Sequence, residues 1–395
     1  MNCRSCGFKI EEFFSLGKMP LVNSFLEKEE IDSEEKFDLS VGFCPQCYLV
    51  QLIEIVPPEK LFKDYIYFSS TSKTFLEHNK KTVDYLAKRL NLNSESLVLE
   101  IASNDGAFLQ YFKELGVRVL GVDPAENIAK VANQKSIKTI PEFFNHNLAK
   151  KLKEEVKADL VYGANVLAHV PEIVDFVLGI KEVLKEKGTA VFEFPYLKGL
   201  MENKFDTIYH EHVFYYSLIA LINLFKKADF EIYDVEMTEM QGGSLRIFVC
   251  HSGVFPISEN VKDLINKEKG FDELSTYQEI SKNVSKLKED LISLLERLKK
   301  EDKSVAAYSA PAKGNILLNY FGIGNYLDFI VDKSEKKQGL YTPGTHLLVY
   351  PPDKIYEEKP DYLLVLCWNI VDEVREQLKD YQGKFIIPIP SLRII

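Results

Sequence analysis

The chain has 395 residues, 46% of them hydrophobic and 27% charged, with a formal net charge of −10. That length exceeds one ordinary core and calls for two or three domains, and those proportions are globular. The acidic balance, with no basic stripe against it, excludes nucleic-acid binding by general electrostatics; no apolar run suits a membrane span and no signal segment is seen, so we expect a cytoplasmic protein, monomer or homodimer.

The first element is a pair of cysteine knuckles, Cys3-Arg-Ser-Cys6 and Cys44-Pro-Gln-Cys47. Each tight turn presents two sulfurs, so Cys3, Cys6, Cys44 and Cys47 are expected to close a tetrahedron around Zn²⁺. No acid or histidine beside them suggests an open coordination position, which makes the metal structural. The interval between the knuckles is longer than in common zinc ribbons, so an inserted loop is expected there. The other two cysteines, Cys250 and Cys367, read as buried free thiols. We take residues 1–70 as a zinc-binding module.

After a stretch rich in hydroxyls and aromatics, Asp64 to Ser72, the spacing of Val83, Leu86, Ala87 and Leu90 predicts a helix over 74–90. Strand and helix then alternate. Ser96 to Ala102 is a short apolar strand followed by the turn Ser103-Asn-Asp-Gly106 and a helix over 108–115; Val117 to Asp123 is a second strand closing on an acid. Further strands are expected at 159–163 and 189–194, with a helix over 174–185 between them. Strict alternation implies an α/β fold with a doubly wound, Rossmann-like parallel sheet, which we assign to residues 71–265.

From Glu268 to Lys303 the chain turns polar and helical, with Ile280, Val284, Leu287, Leu291, Leu294, Leu295 and Leu298 as an apolar stripe. Residues 266–303 are read as a linking helix. A second Rossmann-like α/β unit is expected over 304–395, from the strand 304–308, the turn Ser309-Ala-Pro-Ala-Lys-Gly314, a helix from Asn315, and strands at 327–332 and 361–366.

Ligands of such sheets sit outside the carboxyl ends of the strands. Asp123, about 20 residues beyond the first strand's turn, is placed to accept both hydrogen bonds of a ribose diol. The turn lacks the glycines of a dinucleotide site, which fits a cofactor with ribose but no pyrophosphate. S-adenosylmethionine is the candidate, since its sulfonium and amino groups favour the acidic loop that Glu100, Asn104 and Asp105 supply. Asn165 and His169 follow the strand ending near Gly163 and reach the same crevice. The cofactor set is therefore Glu100, Ala102, Asn104, Asp105, Gly106, Asp123 and Asn165.

The densest acid–base chemistry is Tyr209-His-Glu-His212, and residue types alone do not choose between His210 and His212 as a base. The turn 309–314 can offer backbone N–H groups and Lys313 to a diphosphate. Arg246 is a second candidate cation, or a salt-bridge partner.

Taken in order, the two knuckles, Tyr65-Ile-Tyr-Phe-Ser-Ser-Thr-Ser72, Glu100-Ile-Ala-Ser-Asn-Asp-Gly106, Tyr209-His-Glu-His212, Gly242-Gly-Ser-Leu-Arg246 and Ala310-Pro-Ala-Lys-Gly314 resemble the nucleotide-sugar C-methyltransferases, over nearly the whole chain. The resemblance implies methylation at carbon 3 of a 4-keto-deoxysugar linked to a nucleoside diphosphate, with a C-terminal unit that helps hold this substrate. It assigns the base to His212, supporting roles to Tyr209, Glu211 and His169, and an active-site place to Tyr67, with Tyr65 toward the sugar. Ser309, Lys313, Asn315 and Arg246 are the expected substrate contacts. The chain departs from the family at Ala102, where glycine is usual. Two other readings remain: an O- or N-methyltransferase on a related sugar, and a zinc-containing binder without turnover.

Overall fold

The computed structural model describes residues 1–62, 68–71, 73–238 and 243–395. Between the knuckles, where an inserted loop was expected, the chain forms sheet: β1 (Glu11–Pro20) pairs antiparallel with β2 (Lys36–Phe43), and just beyond the second knuckle β3 (Val50–Leu52) pairs with β2. Leu39, Val41 and Phe43 alternate along β2 and are all buried, the period-two pattern of a half-buried strand. The fourth strand of this sheet, β9 (Phe214–Tyr215), comes from immediately after the Tyr209–His212 quartet. The quartet is thereby tied to the cysteine module.

The central sheet begins with β4 (Leu97–Ile101), β5 (Arg118–Val122), β6 (Thr139–Ile140), β7 (Ala158–Ala164) and β8 (Leu184–Pro195), all parallel to their neighbours. It ends in two antiparallel strands, β10 (Phe230–Thr238) and β11 (Ser244–His251), in the order β10-β11-β8-β7-β4-β5-β6. Strand β8 starts earlier than the expected position 189, because Leu184 pairs with Ala158 and the ladder is irregular before Thr189 meets Leu160. The order reverses at β4, which lies between β5 and β7, so a crevice opens beyond the carboxyl ends of β4 and β7.

The polar helix runs Leu274–Lys300, after the helix Glu259–Lys267 and a turn at Gly270, where φ is 89°. Its predicted stripe is buried throughout, and Tyr277 stacks on Phe43 with ring centroids 4.9 Å apart. The helix therefore packs on the first sheet. Before it, the buried Glu268 carboxylate accepts from the N–H groups of Leu218 and Ile219 at 2.6 and 2.9 Å, satisfying the start of the helix Leu218–Phe225.

The third sheet holds β12 (Val305–Tyr308), β13 (Ile330–Val331), β14 (Val349–Tyr350), β15 (Tyr362–Val365), β16 (Lys384–Ile387) and β17 (Arg393–Ile394), ordered β14-β13-β12-β15-β16-β17. Only β16 and β17 pair antiparallel. The two α/β units repeat one turn. Ala102 after β4 has φ 58° and donates its N–H to Val122; Ser309 after β12 has φ 68° and donates to Val331. The acids that follow, Asp123 and Asp332, accept from the backbone of Asn104 and Ala310. Among the described residues no helix is long and apolar enough to cross a membrane.

Candidate active site

The quartet forms a tight turn in which the His212 N–H donates to the Tyr209 carbonyl at 2.9 Å. His212 is buried, with Nδ1 2.9 Å from the Thr207 carbonyl and Nε2 2.8 Å from the Tyr209 hydroxyl. A carbonyl only accepts, so Nδ1 carries the proton and Nε2 is the bare, basic nitrogen that accepts from Tyr209. Burial pushes the His212 pKa well below the usual imidazole value, helped by the neighbouring His169 and by the charge of Lys313. The ring is therefore neutral at neutral pH.

His210 faces elsewhere. Its Nε2 lies 3.4 Å from the Phe37 carbonyl on β2, and its ring meets Phe37 edge-on. Geometry thus separates two histidines that the sequence left equivalent. His169 comes in from the turn Leu167–His169 after β7, with its ring 5.0 Å from that of His212; its imidazole bonds the Glu211 main chain, and burial lowers its pKa to about 4. Glu211 is buried, accepts from Asn23 Nδ2 at 2.6 Å, and has its pKa raised to about 7 by desolvation, which Asn23 opposes.

At the carboxyl end of β4, Ala102, Asn104 and Gly106 all adopt positive φ (58°, 49° and 79°), curling the loop back toward β5. Asp123 accepts from the N–H groups of Asn104 at 2.8 Å and Ala125 at 3.0 Å. Glu100 is 5% exposed, and its Oε2 has no hydrogen-bond partner among the described residues. Burial and the charges of Asp123 and Asp105 push its pKa well up. Asp105 itself turns to Lys135 Nζ at 2.9 Å and to the Ser70 hydroxyl. Asn165, with φ 56°, sits beyond β7 and lines a small cavity with His78, Asn79, Glu193, Phe75 and Tyr162.

The C-terminal turn reaches the His212 side, where the Lys313 charge acts on the imidazole and on Asp206. Lys313 donates to Asn369 Oδ1 at 2.9 Å and lies 4.6 Å above the Trp368 ring, while Ser309 Oγ donates to Asp332 at 3.1 Å.

Two expected substrate contacts are engaged inside the protein. Asn315 is buried, and its Nδ2 donates to the Val22 carbonyl at 2.8 Å, tying the first module to the last unit. Arg246 is also buried: it donates twice to Glu193 Oε2 (2.7 and 3.0 Å), once to Glu236 (3.2 Å) and once to Thr82 (2.9 Å). Four of its five N–H bonds are used inside the protein, so the salt-bridge alternative describes it. Tyr65 and Tyr67 lie outside the described residues.

Residues 73–235 match a methyltransferase domain model, 239–390 a C-methyltransferase C-terminal domain and 3–62 a zinc binding domain. The chain is 34% identical to the C-methyltransferase NovU of Streptomyces niveus, an alignment covering 100% of this chain and 96% of that protein. The chain belongs to the C-methyltransferase family. Solved structures with partial likeness include an S-adenosylmethionine-dependent methyltransferase from Clostridium acetobutylicum (11% identity, 45% of this chain and 92% of that one, TM-score 0.36). Another is the magnesium protoporphyrin IX methyltransferase of Synechocystis with bound SAH (18% identity, 45% and 83%, TM-score 0.35).

As a C-methyltransferase the protein takes its methyl group from S-adenosylmethionine, and the crevice fits that cofactor chemically. An orphaned buried carboxyl oxygen on Glu100, with two further acids around it, favours a cationic ligand. The cysteines fit zinc as well. Their ligand atoms all lie within 4.8 Å of one another, with Cys3–Cys47 and Cys6–Cys44 sulfurs 3.6 and 3.4 Å apart. Tetrahedral Zn–S bonds of about 2.3 Å need edges of about 3.8 Å. Gln51 Nε2 and the Ser5 N–H both point at Cys3 Sγ, supporting a thiolate there. Asn23 was missed by sequence reasoning, because a lone asparagine 188 positions from its partner carries no local signal.

Proposed function

We propose that the protein methylates carbon 3 of a 4-keto-deoxysugar carried on a nucleoside diphosphate. The observation that carries this reading is the locked tautomer of His212: a neutral imidazole with its basic nitrogen against the Tyr209 hydroxyl. A carbon next to a ketone becomes nucleophilic only on losing a proton, and S-adenosylmethionine, when bound, supplies the electrophilic methyl for the resulting carbanion. His212 Nε2 takes that proton. When the sugar binds, the single Tyr209 O–H turns from Nε2 to the ketone, freeing that nitrogen for the proton and holding the oxyanion that develops, and Glu211 holds a sugar hydroxyl. Ser309, Lys313 and the backbone at the start of the helix Ala312–Phe321 receive the diphosphate, with Tyr67 and Tyr65 completing the sugar side. The likeness to the C-methyltransferase NovU over the full length supports transfer of the methyl group to carbon.

The test is incubation of a panel of nucleoside-diphosphate 4-keto-6-deoxyhexoses with protein and S-adenosylmethionine in deuterated water, read by mass spectrometry. One added methyl, with solvent deuterium exchanged beside the ketone, is the expected result. Methyl gain on oxygen or nitrogen without exchange would replace carbon methylation, and binding without either change would leave a non-catalytic sugar binder.

A further inference from the structure

The segment between β1 and β2 leaves the first sheet and is held by the C-terminal unit. The Val22 carbonyl accepts from Asn315, Leu26 bridges to Tyr341, and Glu34 accepts from the Gly344 N–H at 2.7 Å and from His346 Nε2 at 3.1 Å. Clamped at these points, the segment presents Asn23, whose Nδ2 donates to Glu211 Oε1 at 2.6 Å. Three parts of the fold thus meet at one carboxyl group: the cysteine module supplies the donor, the central unit the acid, and the C-terminal unit the anchor.

We propose that Asn23 is a positioning residue for the reaction, fixing the orientation and charge state of Glu211 and making the zinc-bearing module part of the acid–base site. This rests on the reading of Glu211 as a group that holds the sugar. Its physical basis is the asymmetry of the bond. An amide N–H strengthens when its acceptor is a carboxylate, so Asn23 favours ionised Glu211 in a place where burial favours the neutral acid. With one oxygen held by Asn23, the plane of the carboxyl group is set and the second oxygen is aimed. The other titratable groups here have different engagements. His169 bonds the Glu211 main chain, His210 turns to Phe37, His212 to Thr207 and Tyr209, and the charge of Lys313 acts on His212.

The experiment uses the full-length, zinc-loaded protein. Infrared titration of the buried carboxyl band, assigned with Glu211→Gln, is compared between wild type, Asn23→Ala and Asn23→Ser, alongside the pH profile of kcat. Losing the amide donor should raise the Glu211 midpoint by about one pH unit, with the matching limb of kcat moving the same way. A packing role alone would change stability and leave the midpoint in place. Identical midpoints in wild type and either folded variant would overturn the proposal. If wild type methylates no ketosugar, the functional reading fails separately, while the infrared midpoints still decide whether Asn23 controls Glu211.

Discussion

The indole Nε1 of Trp368 donates a 2.7 Å hydrogen bond to Oδ2 of Asp206, and both side chains are buried. Asp206 precedes Thr207, whose carbonyl holds the proton-bearing nitrogen of His212, so a residue of the C-terminal unit braces the turn that orients this imidazole. Burial raises the Asp206 pKa to about 6, against the opposing influences of Lys313 and Trp368. Trp368→Phe removes a donor to the charged form and leaves that carboxylate short of a partner. The expected loss is about 1–3 kcal/mol. The sign follows from the raised pKa: ionisation of Asp206 already opposes folding as pH rises through about 6, and the variant adds to this. Urea unfolding should show the larger deficit at pH 8 and a smaller one at pH 5, where Asp206 is protonated in both proteins.

His212→Gln should reduce both deuterium exchange and methylation by about 10²–10⁴-fold while S-adenosylmethionine affinity, measured by calorimetry, stays within a few-fold of wild type. Tyr209→Phe keeps the imidazole and loses the donor to the developing oxyanion, for an expected drop of about 10²–10³-fold in kcat. Unimpaired exchange in the histidine variant would move the base elsewhere.

The pH profile separates the two groups. His212 titrates well below the ordinary imidazole range, so its protonation costs activity only in acid; Glu211, raised to about 7, governs any limb near neutrality. In the proposed role of Glu211 its ionised form accepts a sugar hydroxyl, so kcat should rise with pH through about 7. In Glu211→Gln that limb should vanish while the acid limb remains.

The parallel strands were legible because Leu97–Ile101 and Arg118–Val122 are short apolar runs ending next to acids, a local signal. The first sheet was not: two of its strands sit within the knuckle interval, a third just beyond it, and its fourth comes from Phe214–Tyr215, far along the chain. Contacts set by distant pairing were equally hidden. Asn315 follows a turn that suggests phosphate binding, in the helix Ala312–Phe321, and its side chain meets Val22, a pairing that only the assembled fold makes. The cysteines were readable because a metal site demands a repeated spacing. Residue types did not separate His212 from His210; the partners of each ring do, Thr207 and Tyr209 for one and Phe37 for the other.

Arg246 illustrates the difference between a cation that binds and a cation that holds. Its partner Glu193 also lies 2.9 Å from His78 Nε2, and despite burial its pKa is lowered by these partners. Arg246→Met would strand a buried carboxylate, so about 3–5 kcal/mol of stability should be lost. The double variant Arg246→Met with Glu193→Gln should recover part of it, because the uncompensated charge is gone. Unfolding curves decide this. A rise in sugar KM with unchanged stability would instead return Arg246 to the substrate site.

Zinc removal should act on the fold first and on chemistry through it. Cys44 is buried at the end of β2, and its knuckle leads into β3, which carries β9 and thereby the segment following His212. Without metal, four sulfurs crowd together with nothing to organise them, and the ladder from β1 to β9 loses its closure. Cys44→Ser, or a strong chelator, should release close to one zinc per chain in a colorimetric assay and increase hydrogen exchange in β1, β2, β3 and β9. The strands β4, β5 and β7 should exchange as before, and S-adenosylmethionine binding should survive while turnover falls. A metal-free protein with unchanged exchange in β9 and full activity would show that the module folds without its ion.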